Sequence, residues 1–155
     1  MTMPMTLAHL VATSEAVGAR ASRRHKTETL ADFLRALAPD EIALGVAYLS
    51  GVVPQGKTGI GYALLREAQS EPAAAATLTL RDVDGALAGI ATTRGAGSAR
   101  ARREQLAALL ARATAAEAQF LFRLLIGELR QGALEGQMIE AVAAAASVPV
   151  ATVRR

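Results

Sequence analysis

The stretch Thr114-Ala-Ala-Glu-Ala-Gln-Phe-Leu-Phe-Arg-Leu-Leu-Ile-Gly-Glu-Leu-Arg-Gln-Gly132 carries the signals that decide the fold. Thr114 followed three residues later by Glu117 forms a capping box, in which each side chain satisfies a free backbone N–H at a helix start. Phe120, Leu121, Leu124 and Leu125 then recur at helical spacing. Gly132 and Gly136 break the chain after this long apolar helix, and Met138, Ile139 and Val142 follow on another.

The same reading extends to both ends. Leu7, Leu10, Val11 and Val17 make one apolar stripe, and Leu30, Phe33, Leu34 and Leu37 make a second at i, i+3, i+4, i+7. Pro39, Asp40 and Glu41 open a third helix, with Pro tolerated in the first turn and acids matched to its positive end. A Gly-rich loop spans residues 51–61, and a short helix through Leu64 and Leu65 ends before Pro72. Thr79 and Asp82 form a further capping box ahead of Val83, Leu87 and Ile90. Residues 92–97 are irregular, and Ser98 is the expected N-cap of a helix holding Leu106, Leu109 and Leu110. Ser147 and Pro149 start something new, which the chain end at Arg155 cuts off.

Composition agrees with an all-helical reading. Of 155 residues 36 are Ala, and only 3% are aromatic, which argues against a β-sandwich or barrel. One domain of this size buries roughly two-thirds of its unfolded surface. Without Cys there is no disulfide framework, thiolate metal site or Cys nucleophile. His9 and His25 have no carboxylate cluster around them, so no metal is expected. No apolar run reaches the ~20 residues of a membrane span, and the N-terminus lacks the pattern of a signal peptide. A soluble cytoplasmic domain, free of membrane, is expected.

A shift of 76 residues lays the chain on itself. Ser22 falls on Ser98, Arg24 on Arg100, Lys26 on Arg102, Glu28 on Glu104, Leu30 on Leu106 and Leu34 on Leu110. The register continues through Glu41 on Glu117, Gly51 on Gly127, Gln55 on Gln131 and Gly56 on Gly132, so both halves carry L-x-G-x-x-x-Q-G. Two copies are too few for a solenoid. The expected architecture is a single all-α domain of about eight helices, built as two pseudo-two-fold halves at about 5–78 and 79–150.

Charge gives the halves a use. The 17 basic residues comprise 15 Arg and 2 Lys. Arg20, Arg23, Arg24 and Lys26 form one acid-free cluster, and Arg94, Arg100, Arg102 and Arg103 form another. With a pI near 9.9 this is the footprint of a nucleic-acid binder or, more plainly, a solvated Arg-rich helix face. A helix N-terminus offers free N–H groups, and Gly lets backbone approach an anion. Two such sites related by a two-fold match the two antiparallel strands of a duplex; a duplication kept only for packing is the alternative.

Gly51-Val-Val-Pro-Gln-Gly-Lys57-Thr58 matches the P-loop pattern letter for letter. A P-loop needs a buried strand before it and an acidic strand end for the metal, whereas the segment before Gly51 has helical spacing. The second copy has Ala133 and Leu134 in place of Lys57 and Thr58. Nucleotide binding is therefore declined, and a backbone turn for DNA phosphate is kept.

The 17 residues from Phe120 to Gly136, with Leu49-Ser-Gly, Thr58-Gly-Ile-Gly-Tyr-Ala-Leu-Leu and Gly95-Ala-Gly-Ser-Ala-Arg-Ala-Arg-Arg, resemble the N-terminal DNA-binding domain of bacterial ATP-dependent DNA ligases. The resemblance implies a helical domain that grips nicked duplex DNA across the minor groove, in DNA repair or replication, while a separate catalytic core seals the nick. It implies Arg130, Gln131 and Gly132 as the minor-groove turn and Gly97, Ser98, Arg100 and Arg102 as a backbone-contacting helix start. Ser22, Arg24 and Lys26 would be the symmetry mate of that start, and Thr58, Gly59 and Gly61 the mate of the Gly132 turn. For Arg130 an exposed salt bridge to Glu128 or Glu135 stays open; Arg103 and Arg112 read as solvated, and Phe33, Tyr48 and Phe120 as core. The adenylated Lys of the family lies in K-x-D-G, which neither Lys26 nor Lys57 fits. The domain itself is thus expected to hold no cofactor and to seal nothing alone; ATP and Mg belong to the full-length ligase. The expected partners are nicked double-stranded DNA and the catalytic core, for a monomer in the nucleoid. A helical-repeat module that binds protein is the other reading, and it requires an exposed apolar patch.

Overall fold

A computed structural model describes residues 3–19, 22–129 and 132–146, the part 132–137 as backbone. Among the described residues the chain is all-helical: α1 Leu7–Ala19, α2 Arg23–Arg35, α3 Ile42–Leu49, α4 Tyr62–Glu67, α5 Leu80–Thr92, α6 Ser98–Ala111, α7 Ala115–Ile126 and α8 Gly132–Ala146. None of these helices is long and apolar enough to cross a membrane.

Local signals place the helix starts. Thr79 Oγ1 accepts from the Asp82 N–H at 3.1 Å while the Asp82 carboxylate accepts from the Thr79 N–H at 2.9 Å. Thr114 and Glu117 make the same exchange at the head of α7. The Thr79 N–H, with the nearby Arg112 contributing less, holds the Asp82 carboxyl below its ordinary range. A carboxylate with a lowered folded-state pKa adds stability above its unfolded pKa of ~3.9 and loses it as pH falls through the folded value. Thr79→Ala is expected to cost about 1 kcal/mol, and the Asp82 share to fade as pH falls from ~3.9 through the lowered folded-state pKa. Thermal melts of the wild type and of Asp82→Ala across pH 2–7 check this.

The apolar stripes close one core. α2 packs against α1 and α8, α5 against α6, and α1 against α7. Leu7, Leu10, Leu30, Phe33, Leu87, Leu106, Leu121 and Leu124 are buried together. The beginnings of α1 and α5 are tied by an antiparallel bridge between Thr6 and Thr79. Burial of Tyr48, with a smaller push from Asp84, raises its phenol pKa so that it stays protonated.

The 76-residue shift carries over to element bounds. Moved by 76, α2 falls on 99–111 beside α6, and the 3₁₀ turn Pro39–Glu41 with α3 falls on 115–125 beside α7. Leu30 and Leu106, Leu37 and Ala113, and Glu41 and Glu117 are buried in both copies. Gly51 and Gly127 both have positive φ, 79° and 85°, just past the ends of α3 and α7.

Three expectations need correction. Pro39–Glu41 is a 3₁₀ turn, and the α-helix begins only at Ile42. Gly97 with φ 77°, not Ser98, caps α6, because the Gly97 carbonyl already accepts the first helical bond, from the Ala101 N–H at 3.1 Å. Gly132 and Gly136 lie inside α8 rather than in a break. A helical Gly costs only about 1 kcal/mol, less than packing such as that of α8 on α2 supplies. Ser147 and Pro149 lie outside the described residues.

Candidate nucleic-acid interface

The start of α2 is built by Ser22, whose Oγ accepts from the His25 N–H at 3.4 Å. Arg24, in the first turn, sets its Nε on Glu28 at 3.0 Å. Seventy-six residues on, Arg100 sets its Nε on Glu104 at 3.1 Å. Both arginine side chains are widely exposed, at 86% and 78%. Such pairs are worth a few tenths of a kcal/mol, so either guanidinium can turn to another anion at little cost. Arg23 faces elsewhere: its guanidinium meets Glu140 on α8 at 2.6 Å, and that hydrogen-bonded carboxylate raises its pKa.

Lys26 is half-buried and lines a cleft of about 350 Å³ between α1, α2 and α7. Arg123, Ser14, Gln119 and Leu129 share its wall, as does Glu15, the one carboxylate there among the described residues. Arg123 was not among the residues singled out from sequence, since its position on the apolar α7 gives no charge cluster to notice.

The loop of residues 51–61 follows helix α3, with no strand before it. It therefore lacks the frame of a nucleotide-binding P-loop. Gln55 Nε2 anchors it to α5 through Asp84 Oδ1 at 2.6 Å. Thr58 Oγ1 accepts from the Ile60 N–H at 3.2 Å, bending the chain on itself. Gly51, Val53, Gly56 and Thr58 share a cavity of about 240 Å³ with Leu124, Leu125, Ile126 and Gly127, so this loop and the end of α7 lie side by side. Arg102, from the first turns of α6, donates from Nη2 to the Thr58 carbonyl at 2.5 Å.

These contacts string the sites read from sequence into one row. Lys26 shares a cleft with Leu129 in the turn after α7; that turn begins at Gly127, against the 51–58 loop; and Thr58 meets Arg102. Gly97 and Ser98 begin the helix that carries Arg102, and Gly61 caps α4 at the far end of the loop. Arg130 and Gln131 lie outside the described residues, and Gly132 is the first residue of α8. Arg103 leans toward Glu67 at 3.9 Å and Arg112 toward Asp82 at 3.3 Å, both in exposed pairs.

Comparison with known proteins bears on what this row does. A family model described as DNA ligase N terminus matches residues 60–143. A probable DNA ligase of Anaeromyxobacter sp. (strain Fw109-5) is 53% identical over 153 residues, covering 97% of this chain and 30% of that protein. Probable DNA ligases of Rhodococcus opacus (strain B4) and Saccharopolyspora erythraea are each 48% identical, over 151 and 149 residues, covering 97% and 96% of this chain. The chain spans about three-tenths of the length of these curated relatives, 30% and 29% of the last two.

Proposed function

The chain belongs to the DNA ligase N-terminus family, and we propose that it is the part of an ATP-dependent DNA ligase that holds duplex DNA across the minor groove beside a nick. The observation that carries this reading is the row of basic helix starts and Gly-rich turns from Lys26 through Gly127 and Thr58 to Arg102. Free N–H groups at helix starts, exposed arginines and close backbone approach suit phosphates. They suit no particular base sequence, because the minor groove carries a degenerate pattern. In this reading Ser22, Arg24, Lys26, Thr58, Gly59, Gly61, Gly97, Ser98 and Arg100 meet DNA directly, with Arg130, Gln131 and Gly132 at the groove. The starts of α2 and α6 take opposite strands.

Sealing the nick is work for the rest of such a ligase. Neither lysine of this chain stands in K-x-D-G, so the adenylated lysine, ATP and Mg are assigned to the longer protein, the catalytic partner of this domain. A monomer in the nucleoid, serving repair or replication, fits that role.

The test is binding of labelled duplexes, nicked and intact, over a salt series. Log affinity should fall linearly with log salt, with a slope of about −0.9 per phosphate contact. Random duplexes should differ by less than the ~10³-fold or more that marks specific binders, and nicked duplex should be favoured over intact. An absence of binding at low salt rejects the reading in favour of a protein-binding helical module. Strong selection of one sequence rejects it in favour of a sequence reader.

A further inference from the structure

Arg102 is not placed as a free cation. Its Nη2 is spent on the Thr58 carbonyl, and its Nε is buried without a hydrogen-bond partner among the described residues. The guanidinium packs close against Gly59: a β-carbon there would stand 2.7 Å from Cζ and 2.9 Å from Nη1, and nearer still to Nη2. Gly59 has φ 76°, a conformation that calls for glycine, and a β-carbon there would displace the guanidinium. The Thr58 side chain meanwhile holds the Ile60 N–H. The peptide from 58 to 60 is thus clamped from both sides, by a residue 44 positions away and by its own hydroxyl.

One residue before the clamp stands Lys57. It is exposed and makes no ion pair among the described residues. The P-loop pattern that drew attention to it has no strand behind it, so its charge is otherwise unassigned. We infer that Arg102 is a positioning residue whose guanidinium pins the Thr58–Gly59 backbone, and that the loop so pinned presents Lys57 as a phosphate contact beside the start of α6. This rests on the DNA-binding reading for its ligand, but the clamp itself is a property of the free domain.

Two measurements on the 155-residue chain test it. In the first, affinity for a labelled duplex is followed against salt for Lys57→Ala, Arg102→Ala and the double variant. A lost phosphate contact flattens the slope of log K against log salt by about 0.9, roughly eightfold in affinity at ~0.1 M salt. Each single variant should show this change and the double variant no more than either, because both remove the same contact. Gly59→Ala should reproduce the Arg102→Ala loss while leaving every charge in place. A double variant that flattens the slope by about 1.8 would mean that Arg102 meets a phosphate of its own, and a Lys57→Ala variant that binds like wild type would remove Lys57; either overturns the proposal.

In the second, hydrogen exchange is measured without DNA. The Ile60 amide should exchange on the order of tenfold faster in Arg102→Ala and Gly59→Ala, with helix amides of α5 and α7 unchanged. Unchanged exchange at Ile60 overturns the clamp. If wild type binds no duplex even at low salt, the Lys57 contact falls together with the DNA-binding reading, and exchange still decides the clamp.

Discussion

Replacing Arg24, Lys26 and Arg100 together by Ala should lower duplex affinity roughly 500-fold at ~0.1 M salt, at about eightfold for each phosphate contact removed. The slope of log K against log salt should flatten by about 2.7, three times the counterion release of a single contact. Arg24 and Arg100 stand 76 residues apart in the same local setting, each paired in its own helix with a glutamate four residues on. If the two halves meet opposite strands alike, Arg24→Ala and Arg100→Ala give matching losses that add. Breaking either exposed pair moves stability by no more than about 0.5 kcal/mol, so a melt distinguishes lost contact from lost fold. A triple variant with an unchanged salt slope would take these helix starts off the DNA. A large loss from Arg24 with none from Arg100 would leave binding to one half and make the repeat a matter of packing.

The other large effect concerns Glu41, whose carboxylate is buried and bridges two chain segments. Its Oε1 accepts from the Ala38 N–H at 2.9 Å and its Oε2 from the Met5 N–H at 2.8 Å. Glu41→Ala leaves two backbone donors with no partner, at about 1–3 kcal/mol each when buried. A total cost of about 3 kcal/mol is expected, a fall in Tm of roughly 6–12 °C for a domain of this size. Glu117, the residue at the same place in the second half, is equally buried, but only its Oε1 is used, on the Thr114 N–H at 2.9 Å. Its Oε2 has no hydrogen-bond partner among the described residues. Glu117→Ala should therefore cost about half as much. Urea melts of the two variants compare them directly; equal losses would mean that the tie to Met5 contributes nothing to the fold.

Much of the helical frame was legible in the sequence, because its signals act over three or four residues. Thr79 with Asp82 and Thr114 with Glu117 cap the helices they were expected to cap. The stripes through Leu30, Phe33 and Leu34 and through Leu106, Leu109 and Leu110 are buried as their spacing required. Where local propensity had to compete with packing it lost: Gly132 and Gly136 read as a break, yet both are in α8.

Charge was less legible still. Glu41 read as an acid matched to a helix dipole, and it proves to be a buried bridge to Met5. Arg23 and Arg102 belonged to clusters of equal-looking cations, but one is tied to Glu140 and the other to the Thr58 carbonyl. Sequence alone therefore determined which segments are helices, where most of them start and which faces they bury, since backbone capping and side-chain periodicity are settled within one turn. Only the tertiary structure decided which arginines remain available to a ligand. A long cation can reach any acceptor that the fold brings near it, and those acceptors lie 117 residues from Arg23 and 44 from Arg102.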